Sequence, residues 1–110
     1  MASKTFINNT KENLVVTLLI RQGESVDGKE SVKKFNLPAG GNEHVNYGNQ
    51  SDIYLNGLTI NWRDEATDSE NALTKKVSAR GAAPTFDALL NTNSTIIINS
   101  VTGMDVSARN

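Results

Sequence analysis

Residues 13–22 read NLVVTLLIRQ and hold LVVTLLI, the longest apolar run of the chain. In an extended backbone, Leu14, Val16, Leu18 and Ile20 fall on one face and Val15, Thr17, Leu19 and Arg21 on the other. A strand that is apolar on both faces belongs in the middle of a sheet, covered at least in part on each side. The run is far too short to cross a bilayer as a helix. It therefore predicts a sheet protein with this strand near its centre.

Working outward, KTFIN (residues 4–8) reads as a shorter strand, with NTKEN as the turn between the two. GESVDGKE (23–30) is a polar loop with two glycines. In SVKKFNL (31–37), Phe35 and Leu37 point one way and Lys34 and Asn36 the other; the Lys33-Lys34 pair suits an edge strand guarded by charge. LPAGGNE is turn chemistry, and EHVNYG (43–48) follows with Val45 and Tyr47 inward and His44 and Asn46 outward. These two strands are expected to form a hairpin.

In IYLNGLTINW (53–62), Ile53 and Leu55 share one parity and Leu58, Ile60 and Trp62 the other. The phase flips at Asn56-Gly57, as a bulge or a tight hairpin would require. The short arm before Asn56 favours the bulge. RDEATDSEN (63–71) reads as a loop, and LTKKVSA (73–79) as a strand with Leu73 and Val77 inward and a second lysine pair, Lys75-Lys76, at another edge. RGAAP breaks the chain. PTFDALLN spaces Phe86, Leu89 and Leu90 as one or two helical turns over residues 84–91. STIIINSVT supplies a second central strand, and GMDVSARN a short strand or a frayed end.

The sum is seven or eight short strands with one helical turn. The chain of 110 residues is one domain, 1–110. Its fourteen asparagines serve the many turns that short strands need. The expected fold is all-β: a small antiparallel β-sandwich, immunoglobulin-like or related.

Composition narrows the chemistry. A formal charge of −1 offers no footprint for nucleic acid. The two lysine pairs could align on neighbouring edges, yet edge protection explains them more simply. One histidine and no cysteine cannot assemble a zinc site of ordinary type. Asp64, Glu65, Asp68 and Glu70 could give oxygen ligands to calcium, but the alternating pattern with a central glycine is missing, so the 64–70 stretch reads as a solvated loop. His44 has Ser51 and Asp52 near it in sequence and no nucleophile-elbow motif. No catalytic residue, cofactor or metal is expected. The start, MASKTFINNT, holds no apolar run for a signal peptide, which points to the cytoplasm; a trimmed leader or a leaderless route is the other possibility.

Two residue sets could hold a sugar: Trp62 with Asn61, Arg63 and Asp64, and Tyr54 with Asn56. Trp62 continues the parity of Leu58 and Ile60, so its ring is expected to close one end of the core. The leading expectation is a non-enzymatic protein acting through protein–protein contact, its own copies included. If NLVVTLLI or STIIINSV lay at a sheet edge, dimers or polymers would follow. Carbohydrate binding through Tyr54, Asn56, Asn61, Trp62 and Asp64 is the alternative, and a membrane-active β-protein the third.

Overall fold

The computed structural model describes residues 2–21, 30–48, 54–64, 67–76 and 86–110. Expectations for the loop over 23–29, for Ser51, Asp52 and Ile53, for Glu65, for Val77 and for the break over 80–85 lie outside the described residues. Among those described, the elements are β1 (Ala2–Asn8), β2 (Leu14–Arg21), β3 (Glu30–Leu37), β4 (Asn42–Tyr47), β5 (Leu55–Asp64), β6 (Ser69–Lys76), α1 (Phe86–Asn91), β7 (Thr95–Ser100) and β8 (Asp105–Arg109). They form two four-stranded sheets, ordered β4-β1-β7-β8 and β3-β2-β5-β6. All neighbours are antiparallel except β1 and β7. This strand order differs from the ABED/CFG order of immunoglobulin domains, so the chain is a sandwich of the related kind.

The apolar alternation of β2 explains its place. Leu14, Val16, Leu18 and Ile20 are buried, facing Leu37 and Phe35 of β3 on one side and Ile60, Leu58 and Leu55 of β5 on the other. Val15, Thr17 and Leu19 lie half-buried on the outer face. In the opposite sheet Phe6, Val45, Tyr47, Ile96 and Ile98 point inward. The Phe6 and Phe35 rings meet across the layers at 5.2 Å between centroids. Each such fully buried side chain contributes roughly 1.5–3 kcal/mol by leaving water. Both runs singled out for their aliphatic content, in β2 and β7, are central strands. Neither lies at an edge, so the condition set for polymerisation through them is not met.

The bulge reading of Asn56-Gly57 holds. β5 continues through both residues, and its register with β2 shifts between Leu19↔Gly57 and Ile20↔Leu55, leaving Asn56 as the extra residue. Gly57 has φ +151° and passes so close to β6 that a Cβ would sit 2.4 Å from the Lys75 carbonyl oxygen. No other residue type fits there without displacing backbone.

Two expectations are corrected. β3 and β4 are not a hairpin: β3 pairs with β2 and β4 with β1, in different sheets. The pair β1–β2 and the pair β3–β4 instead run antiparallel as one long ribbon that folds over at residues 9–13 and 38–41. Asn8 holds that fold. It is 1 % exposed. Its Nδ2 donates to the Leu37 and Glu12 carbonyls at 2.9 and 2.7 Å, and its Oδ1 accepts from the Thr10 amide at 2.9 Å. The Asn8 amide also donates to the Gly41 carbonyl at 2.9 Å, tying in the second crossing. The second correction concerns residues 63–71, which are not one loop. β5 reaches Asp64 and β6 starts at Ser69, because Arg63 faces Glu70 across the pair and binds both Glu70 and Asp68. Asp68 and Glu70, two of the four acids that made this stretch read as solvated loop, are the partners of Arg63 where the strands end.

Candidate functional site

The residues marked as a sugar site do not converge. Trp62 points inward, half-buried, and packs against the core, as its parity required. Asn61, one residue earlier, faces the opposite side of the sheet beside Val15. Asp64 closes the β5–β6 pair opposite Ser69. Tyr54 lies eight residues before Trp62, roughly 25 Å away along an extended chain. Its ring takes the Arg21 guanidinium at 5.8 Å from the centroid. Asn56 is 1 % exposed, and its Oδ1 accepts from Arg21 Nε at 3.3 Å. The bulge that accommodates Asn56 turns its amide inside, where it serves a buried arginine and offers no surface to a ligand.

The other candidates are dispersed too. His44 is exposed on edge strand β4, with Nδ1 3.1 Å from the Thr5 hydroxyl. The lysine pairs are on β3 and β6, the two opposite edges of one sheet, some three strand spacings or roughly 14 Å apart, and not on neighbouring edges. Among the described residues no cluster of three or more His, Asp or Glu could hold a metal ion. No described helix is long and apolar enough to cross a membrane.

A cleft does form between β6 and β8, edge strands of the two sheets. Helix α1 covers this opening. Leu90 is fully buried, while Phe86 and Leu89 remain half-buried. Asn91 fixes the helix end: its Oδ1 accepts the Leu55 amide at 2.7 Å and its Nδ2 donates to the Leu55 carbonyl at 2.9 Å. One side chain thus takes the place of a neighbouring strand. The remaining space, about 610 Å³, is walled by Phe86 and Leu89 of α1, Val106 and Ala108 of β8, Asn93, and Lys75 of β6. Lys75 Nζ sits 5.0 Å from the Phe86 ring centroid, a cation–π contact at the rim. Behind Asn93, Lys4 points into the sandwich and donates to the Asn93 carbonyl. Burial lowers its pKa from the ordinary lysine value.

Such a cleft can seat apolar side chains against Phe86 and Leu89, and β8 alongside offers a strand edge. Phe86 and Leu89 were legible as an apolar helical face. The cleft was not, because it joins elements from three parts of the chain. The inward turn of Lys4 had a signal: it shares the parity of Phe6 and Asn8. The chain matches no protein-family model, and no curated protein or solved structure is similar to it at a significant level.

Proposed function

We propose that this chain is a non-enzymatic β-sandwich that works through protein–protein contact, its own copies included, at the cleft between α1 and β8. The observation that carries the reading is the pairing of an apolar cleft with an edge strand whose centre is free of charge. Edges pair with other chains unless blocked. β3 is blocked by Lys33 and Lys34 and β6 by Lys75 and Lys76, while β4 carries Glu43 with no opposite charge on the strand to meet it in a second copy. Between Asp105 and Arg109, β8 carries only Val106, Ser107 and Ala108. A strand added there would gain main-chain hydrogen bonds along β8 and lay alternate side chains towards Phe86 and Leu89.

Hydrogen exchange tests the reading. Amides of β8 and α1 should exchange more slowly in concentrated than in dilute protein, while those of β3 and β6 stay unchanged. Exchange that is independent of concentration throughout would contradict it.

A further inference from the structure

We infer that the contact is a symmetric one: β8 pairs antiparallel with β8 of a second copy, about a two-fold axis through Ser107. This rests on the contact role proposed for the cleft and adds its partner and register. The strand reads DVSAR, residues 105–109. A two-fold at its middle residue sets Asp105 opposite Arg109 of the second copy, and Arg109 opposite Asp105 of the second copy. Val106 meets Ala108 of the second copy, and Ser107 meets Ser107. Every charge on the strand gains its opposite, twice over, from one symmetry operation.

The placement of the side chains agrees. Asp105, Ser107 and Arg109 are exposed and alternate with buried Val106 and half-buried Ala108. Residues directly opposite in an antiparallel pair share a face, so both ion pairs lie on the outer side and the apolar pairs on the core side. Among the described residues no hydrogen bond or ion pair engages the Asp105 or Arg109 side chain. The sheet β4-β1-β7-β8 then continues into its copy as one eight-stranded sheet. On the core side of the new pairing, Val106 and Ala108 of the second copy stand beside the cleft walled by Phe86 and Leu89.

The other edges fit a copy of themselves less well. Centred on β3, the same operation opposes Lys33 and Lys34 of the two copies. β4 has Glu43 but neither lysine nor arginine. On β6, Glu70 already bonds Arg63 and Lys75 already covers Phe86.

Sedimentation analysis of charge-reversed proteins tests the register. Asp105→Arg and Arg109→Asp should each weaken self-association by about tenfold or more, since each opposes like charges twice in the dimer. An equimolar mixture of the two should recover wild-type association, and so should the double variant D105R/R109D. Recovery also shows that the single variants are folded. Dimers unaffected by either reversal, or a mixture that stays weak, would overturn the register while the concentration-dependent protection of β8 and α1 could still stand. A wild-type protein that never self-associates would overturn it together with its self-contact premise.

Discussion

Three buried polar side chains decide more of this structure than their number suggests. Asn8, Lys4 and Tyr47 all point between the sheets, and alternation alone assigns the first two to the face of Phe6. Tyr47 was legible as inward from its parity with Val45, and it is 3 % exposed. That burial pushes its pKa up to about 12 from 10.0. Above about pH 10 an unfolded tyrosine gives up its proton while the folded one keeps it. The folded state then binds more protons, so stability falls as pH rises from about 10 to about 12, by roughly 2–3 kcal/mol in full. Lys4 acts in the opposite sense. Its lowered pKa means that the cost of burying the ammonium is fully present below the folded-state value and is relieved as pH rises to 10.5. Urea unfolding across the alkaline range should therefore show a maximum near about pH 10 followed by a decline. Tyr47→Phe should abolish the decline and leave the rise. A variant that declines as steeply as the wild type would assign the loss to another group.

At the scale of the element, strand identity was written plainly and strand partnership was not. β2 and β7 announced themselves as central by carrying aliphatic residues on both faces, and the lysine pairs marked β3 and β6 as edges. The flip in parity at Asn56-Gly57 was enough to identify a bulge, because only an extra residue restores the apolar face. By contrast, LPAGGNE has the chemistry of a hairpin turn whether its flanking strands pair with each other or pass to different sheets. The choice was made by Asn8, some thirty residues away in sequence, through its bond to the Leu37 carbonyl. The acidic stretch misled for a similar reason: Arg63 pairs across the strands with Glu70, a contact invisible without the register. The corner gives a sharp test. Asn8→Ala removes a buried donor shared by two carbonyls and should cost about 2–4 kcal/mol in urea unfolding. Asn9→Ala, at an exposed neighbour whose side chain makes a bond of 3.4 Å to Asn99, should change stability by less than about 0.5 kcal/mol. Equal effects at the two positions would remove Asn8 from its role at the corner.

For the molecule as a whole, the sequence suggested two sugar-contact sets, and folding separated them. Trp62 packs half-buried against the core, Asn56 and Tyr54 meet the buried Arg21, and Asn61 stands opposite Val15. Folding also brought together what the sequence kept apart: α1, β8 and Lys75 surround one opening. On the proposed reading, a second chain would cover the half-buried Phe86 and Leu89 that wall this opening beside β8. The proposed self-contact rests on that arrangement and on the charge order of β8. The direct check is the molar mass of the wild-type protein by light scattering over a wide dilution series at low ionic strength. The mass should climb from the 11.9 kDa of one chain towards twice that value as concentration rises, and fall back when salt is added. A mass fixed at 11.9 kDa at every concentration would contradict the account.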